Sequence, residues 1–396
     1  MVLECMHQPF KGLYLGYQLI GTIFIRVPIW SLWYLLPPMR RVSTWSWNHA
    51  MEVEFIRHLV HVTSITGPIL PSPDYRAISP TKEAEGVWVE GAPSELIQDD
   101  LKIWASISGV APERIPGYWY ARSGTSHKPA QSPQPGEKVF YFLHGGAYTQ
   151  LTAHPQAPTS TIIRGLVELD ESAPHAFVVE YRLSSAHPLP ERFPFPTALL
   201  DSISGYCYLV EEIGYEPSDI ILVGDSAGGN LALALCRYLV EHRGLPGAKL
   251  PASPGSLLLL SPWVDASDSH DLPGSSMFTF DMDFLNSEQV LYSKRAFLGP
   301  FGLGFALNRY ISPASLHPSV QAHFQGFPRT FIAAGSVEML LDQIRTLRSK
   351  MVSEMGEGEV TYFEAPDAVH DYLIFDKHPH RSATYNAITT WLSEAP

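Results

Sequence analysis

The stretch Gly224-Asp225-Ser226-Ala227-Gly228 constrains this chain most, because it follows the β-branched run Ile220–Val223 and opens a helical pattern that continues to Glu241. A strand that reverses into a helix within one tight turn has no room for a Cβ on either side of the residue at its tip. Gly224 and Gly228 meet that demand, and the residue left at the tip is Ser226. A serine held on a strained strand-to-helix turn, with its hydroxyl above the sheet end, is placed as a nucleophile.

The surrounding pattern supplies the sheet such a turn requires. From Lys138 onward, short apolar runs alternate with helical segments of ten or more residues, which predicts a mostly parallel sheet. The predicted strands are Val139–Leu143, Ala176–Tyr181, Ile220–Val223, Ser256–Leu260, Thr330–Ala333 and Val360–Phe363. Helices are predicted over Thr159–Leu169, Pro196–Ile213, Gly228–Glu241, Met339–Met355 and Arg381–Leu392. An interval from Pro262 to Pro328 interrupts the array, and its aromatic-rich part Met277–Leu298 reads as helical cap material, an insertion over about residues 264–327. Ahead of the array, Thr44–Thr66 carries apolar residues at three- and four-residue spacing, as an amphipathic helix does. Pro68, Pro71, Pro73 and Pro80, and later the polar stretch Ser123–Gly136, read as irregular connections. The expected division is an apolar N-terminal cap region, residues 1–115, and a catalytic domain, residues 116–396.

Composition narrows the partners. A net charge of −13 with no basic cluster excludes a nucleic-acid-binding role and favours neutral or cationic small molecules. Cys5, Cys207 and Cys236 are too few and too widely spaced for a disulfide framework, so they read as buried free thiols. The sequence holds no Asn-x-Ser/Thr acceptor, and a cytoplasmic or cytosol-facing setting is expected.

The nearly unbroken apolar run from Leu13 to Leu36 is long enough to cross a bilayer. Arg26 near its middle would cost about 2.5–3.5 kcal/mol there, Gln18 adds polarity, and Pro28 removes a backbone hydrogen bond. The expectation is therefore a core or cap helix, with membrane contact through residues 13–36 as the alternative, since Trp30, Trp33 and Tyr34 cluster as interfacial aromatics do.

A second glycine motif, His144-Gly145-Gly146-Ala147-Tyr148, follows the strand Val139–Leu143, where small residues let backbone amides converge on a developing negative charge. The amides of Gly145, Gly146 and Ala227 are the expected oxyanion donors. With both motifs in this order, the sequence resembles the hormone-sensitive-lipase-like α/β-hydrolases. Tyr181-Arg182-Leu183, His187-Pro188, Ser261-Pro262-Trp263 and Asp283-Phe284-Leu285 carry the resemblance from about Pro116 to the C-terminus. The resemblance implies the α/β-hydrolase fold: a mostly parallel central sheet flanked by helices, with a helical cap from the N-terminal region and an insertion before the catalytic acid. Ala147 stands where the family has a third glycine, and its methyl narrows the hole against bulky alcohol groups.

A serine needs a base, and the fold's chain order is serine, acid, histidine. His370, in Ala368-Val369-His370-Asp371-Tyr372 after the last strand, resembles the family's loop histidine. Gly335–Asp342 resembles the family's acid segment, which makes Glu338 the expected orienting acid and leaves Asp342 to cap a helical turn. Asp371 is set aside because neighbouring side chains on an extended loop diverge. His58 and His61 fall on the N-terminal helix, and His378 and His380 in a polar C-terminal loop without further ligands, so no metal and no cofactor are expected. The resulting expectation is serine-dependent hydrolysis of an ester of a hydrophobic small molecule. Acyl transfer or cyclisation of a natural-product intermediate by the same residues is the alternative, suggested by a likeness in overall style to hydrolases of fungal secondary metabolism. A non-catalytic receptor, as in the gibberellin receptors, is disfavoured by the presence of His370.

Overall fold

A computed structural model describes residues 6–69, 73–244 and 250–394, so Cys5 and Pro71 lie outside the described residues. Eight strands form one sheet: β1 (Glu85–Val89), β2 (Ile115–Ala121), β3 (Val139–Leu143), β4 (His175–Val179), β5 (Ile220–Asp225), β6 (Ser256–Leu260), β7 (Arg329–Gly335) and β8 (Val360–Ala365). Their order is β1-β2-β4-β3-β5-β6-β7-β8, antiparallel at β1–β2 and β2–β4 and parallel elsewhere. Every residue of β3, β4 and β5 is buried, as strands covered on both faces must be. One face packs on the helices Thr197–Cys207, Ala227–Glu241 and Leu341–Met355, the other on Ser160–Leu169, Arg381–Ser393 and Trp47–Thr66.

The six predicted strands all form, with ends displaced by at most two residues. Two more, β1 and β2, and the helix Asp99–Ser108 have no counterpart in the sequence reading. Pro116 and Gly117 hide β2, since both residues normally weaken a strand. Gly117 is there because the Phe177 ring of β4 lies across it; a Cβ would stand 2.3 Å from that ring. The division at residue 115 is thereby corrected: β1 pairs with β2 across it, so residues from Glu85 onward belong to the same sheet as the rest.

The N-terminal region forms an antiparallel helical pair. The helix Trp47–Thr66, capped by the Ser46 hydroxyl accepting from the His49 amide, buries Ala50 and Val53 against the sheet's second core. Its Arg57 guanidinium donates to the carbonyls of Asp281 and Asp283, tying it to the insertion. This second helix fits the expected cap role. The first, Phe10–Trp33, does not fit the expectation of a core helix. Only 11% of its most apolar stretch is buried, and the buried residues are Gln18, Gly21 and Thr22. Hydrophobicity alone pointed inward; the arrangement of its polar residues decided the opposite.

Candidate active site

The turn after β5 has the geometry its glycines require. Ser226 adopts φ 51° and ψ −119°, a left-handed conformation that L-residues rarely occupy. A Cβ on Gly224 would lie 2.2 Å from the Gly228 carbonyl oxygen, and one on Gly228 would lie 1.9 Å from that of Leu143. The Ser226 amide donates to the Leu260 carbonyl and the Trp263 amide donates to the Ser226 carbonyl, both at 2.9 Å, so β6 and its following loop hold the strained turn in place.

Loops after β7 and β8 bring the other predicted residues to it. His370 Nε2 lies 2.9 Å from Ser226 Oγ, and the opposite ring nitrogen, Nδ1, lies 3.7 Å from Glu338 Oε2. That second separation suits charge pairing and is slightly long for a hydrogen bond. Asp342 is elsewhere: its carboxylate accepts from the Ser276 amide at 2.8 Å and so caps the short turn Ser276–Thr279.

Two carboxyl groups join the site that the sequence reading had passed over. The loop is not extended at Asp371, whose φ is 46°, and its carboxylate consequently turns back to within 3.3 Å of His370 Nε2. Asp371 thus sits on the Ser226 side of the imidazole, where a proton lands during attack, and cannot orient the ring from Nδ1. Asp283, inside the insertion, is fully buried and accepts from the His370 amide at 3.2 Å and from the Met339 amide at 2.7 Å. One side chain therefore pins both the histidine loop and the acid loop. Its motif was visible in Asp283-Phe284-Leu285, but nothing in the spacing revealed which amides it meets. Asp283→Ala should leave two buried amides without acceptors, at about 1–3 kcal/mol each, and should reduce kcat more than KM. A variant with wild-type melting temperature and wild-type kcat would remove Asp283 from any positioning role.

The carboxylates set the electrostatics. Burial opposes charge on His370, but Asp371, Glu338 and Asp283 outweigh it and push the imidazole up to about 10. Burial in turn pushes Asp371 up to about 7 and raises Glu338 and Asp283 above the ordinary carboxylate range. Asp225 is raised as well, by burial and by Asp371. The cluster therefore retains protons near neutrality, and a neutral His370 is favoured as pH rises.

The loop after β3 requires one correction. The Gly145 amide donates to Asp225 Oδ1 at 2.8 Å, so it is committed to holding the loop against the turn and does not face the reacting centre. Among the described residues, the amides of Gly146, Ala147 and Ala227 meet no acceptor. Gly146, Ala147 and Tyr148 all have positive φ, at 109°, 53° and 61°, which keeps this stretch out of helix and strand. Ala147 thus stands with Gly146 and Ala227 as an amide without an acceptor among the described residues, where Gly145 was expected. Behind the loop, burial lowers His144 to about 4 and raises Glu180 to about 7. Glu180 accepts from Thr152 Oγ1 and from the Ala153 amide, which braces the far end of the same loop.

His49 and His378 are packing residues. His378 is buried against His49 and Tyr372, and burial lowers the two histidines to about 3 and about 4, so both pack as neutral rings. The loop expected to be polar around His378 thus buries that ring. One group among the described residues has metal-ligand composition, His127, Glu137 and His175. Glu137 already accepts from His127 Nδ1, His175 Nδ1, the Tyr215 hydroxyl and the Gln134 amide, at 2.8–3.2 Å. It also lies at the N-terminal ends of β3 and β4, whereas Ser226 follows the C-terminal end of the parallel strand β5.

A cavity of about 590 Å³ adjoins the oxyanion loop at Thr149 and Gln150, reaching Thr63, Ser64 and Pro68 at the end of the N-terminal helical pair. Ser226 is not among its walls, which carry Asp74, Arg76, Glu180, Arg182 and Arg192 beside Tyr75 and Tyr292. The pocket is thus more polar than the apolar N-terminus had suggested.

A family model described as alpha/beta hydrolase fold matches residues 140–374, a span that contains both glycine motifs, Glu338 and His370. The chain belongs to the alpha/beta hydrolase fold family. Among curated hydrolases of this kind, it is 28% identical over 241 residues to Esterase LipU of Mycobacterium tuberculosis, covering 60% of this chain and 71% of that protein. An acetyl-hydrolase of Streptomyces hygroscopicus is 28% identical over 241 residues, covering 60% and 68%. Of solved hydrolase structures, a hormone-sensitive lipase from a metagenome library superposes with a TM-score of 0.56 at 20% identity, covering 93% of this chain and 98% of that one. Carboxyl esterase 2 of Tuber melanosporum gives 0.58 at 15% identity, covering 82% and 90%, and these likenesses establish the fold.

Proposed function

We propose that Ser226, His370 and Glu338 act together as the catalytic triad of a carboxylic ester hydrolase whose substrate is an uncharged ester of a hydrophobic small molecule. The reading rests on Ser226 Oγ lying 2.9 Å from His370 Nε2, together with amides of the two glycine motifs that meet no acceptor among the described residues. In the reaction, His370 Nε2 takes the hydroxyl proton as Oγ attacks the ester carbonyl, and Glu338 stabilises the imidazolium from Nδ1. The amides of Gly146, Ala147 and Ala227 receive the oxyanion. The proton on His370 passes to the departing alcohol, and water then hydrolyses the acyl-enzyme by the same steps in reverse roles. None of these steps requires a cofactor.

The net charge of −13 disfavours anionic substrates, and the Phe284 ring, with its centroid 5.8 Å from that of His370, gives the site an apolar wall. The cavity beside Thr149, whose walls set Arg76 and Arg192 among Tyr75, Leu183 and Phe193, suits a molecule with both apolar and oxygenated parts. The close approach of His370 to Ser226 also speaks against a purely receptor-like role. Cys207 and Cys236, free and buried, fit a cytosol-facing setting.

A series of p-nitrophenyl esters of graded acyl length tests the reading. Hydrolysis of at least one neutral ester is expected, with kcat/KM falling when a carboxylate is added to the acyl chain. Inactivity on the whole series, or a preference for the anionic ester, would overturn it. Running the same assay with an added alcohol and identifying the products separates hydrolysis from acyl transfer.

A further inference from the structure

The helix Phe10–Trp33 is amphipathic the wrong way round for a soluble protein. Its polar and small residues face the body: Gln18, Gly21 and Thr22 are buried, and Thr22 Oγ1 lies 2.9 Å from His58 Nε2. Its apolar residues face out. Leu13, Tyr17, Ile20 and Phe24, spaced along one helical face, are all more than half exposed, with Phe24 at 73%. Leu32, Trp33, Leu35 and Leu36 extend the same exposed surface. A soluble monomer seldom leaves so large a contiguous apolar surface in water.

Arg26, the residue that argued most strongly against lipid contact, is turned away from that surface. Its guanidinium folds back toward Thr22 Oγ1, 3.5 Å away, over Gly21, where a Cβ would stand 2.9 Å from it. Pro28 follows directly on the π-helical turn Thr22–Arg26, within a helix that continues to Trp33.

Charge selects the partner. Residues 6–51 contain Lys11, Arg26, Arg40 and Arg41 and no aspartate or glutamate, in a chain whose net charge is −13. Among the described residues, Lys11, Arg26 and Arg40 form no ion pair with a carboxylate. This cationic N-terminal region, set beside the apolar face on an otherwise acidic protein, complements the negatively charged surface of a bilayer.

The orientation follows from how the helix is held. Lys11 Nζ donates to the Pro68 carbonyl, Trp47 Nε1 to the Ser31 carbonyl and the Tyr34 hydroxyl to Glu54, so the helix is fastened along its length to Trp47–Thr66. Spanning the bilayer would either tear these bonds or drag Glu52, Glu54, Arg57 and His61 into hydrocarbon. From this geometry we propose that residues 10–36 bind the surface of an anionic bilayer with the helix parallel to the membrane plane, its apolar face among the acyl chains and its polar face still docked on the enzyme. This inference stands independently of the ester-hydrolase reading.

Flotation with vesicles of phosphatidylcholine containing about one-fifth phosphatidylserine tests it on the full chain. Wild type should float, and Ile20→Glu/Phe24→Glu should stay in the aqueous fraction while hydrolysing a soluble short ester at the wild-type rate. Nitroxide labels placed in turn at positions 13, 24 and 35, in a Cys5→Ser background, should report similar shallow depths. A label at position 24 much deeper than the other two would show a span instead, since the helix is roughly 36 Å long at 1.5 Å per residue. Failure of the wild type to float would overturn the proposal. So would a discrete dimer that does not float and that Ile20→Glu/Phe24→Glu converts to a monomer, since the apolar face would then belong to a second copy of the chain.

Discussion

Ser226→Ala is expected to abolish ester hydrolysis, with a fall in kcat on the order of 10⁵–10⁶-fold, as removal of a triad nucleophile does elsewhere. The size of the effect follows from the position of Ser226. Among the described residues its Oγ is the one hydroxyl in contact with His370 Nε2, and the left-handed turn fixes it there. The variant should fold normally, because alanine accepts the same turn at similar cost and, among the described residues, Ser226 Oγ makes no hydrogen bond besides the one to His370. A fluorophosphonate should label the wild type at Ser226 and leave the variant unlabelled. Labelling at a different serine, or turnover within tenfold of wild type at an unchanged melting temperature, would remove Ser226 from the chemistry.

Glu338→Gln should produce the next largest loss, about 10⁴-fold in kcat, by analogy with neutralising the orienting acid of a serine–histidine–acid set. Three carboxyl groups compete for this assignment, and their positions separate them. Glu338 faces Nδ1, the nitrogen that keeps its proton; Asp371 faces Nε2, which must receive one; Asp342 caps a turn in the insertion. Asp342→Asn should therefore leave kcat within a few-fold of wild type.

Asp371→Asn should change the pH dependence rather than the plateau. The base is the neutral imidazole, and Asp371 is the foremost of the groups holding His370 in its protonated form. Removing that negative charge lowers the pKa of His370, so the acidic limb of the kcat/KM profile should move to lower pH. An acidic limb that stays in place, or that moves upward, would show that Asp371 does not act on His370. Equal losses from Glu338→Gln and Asp371→Asn would dissolve the distinction between them.

The sequence determined by itself whatever depends on local sterics and periodicity. Gly224 and Gly228 specified the elbow because no Cβ fits there, and that clash is decided within a few residues of chain. The buried strands β3, β5 and β6 were legible because strands covered on both faces need unbroken apolar runs. His370 and Glu338 were named through resemblance and chain order, and both meet Ser226's surroundings. What lay beyond the sequence depends on which distant groups meet. Gly145 looked like an oxyanion donor until Asp225, 80 positions away, took its amide. Asp371 was dismissed on an extended-loop assumption that its left-handed backbone reversed. Asp283 acquired its role only because the insertion folds back over two loops that follow different strands. The apolar run at the N-terminus is the clearest case. Its hydrophobicity was plain, but hydrophobicity has no direction, and only docking on Trp47–Thr66 through Gln18, Gly21 and Thr22 decided that the greasy side faces outward.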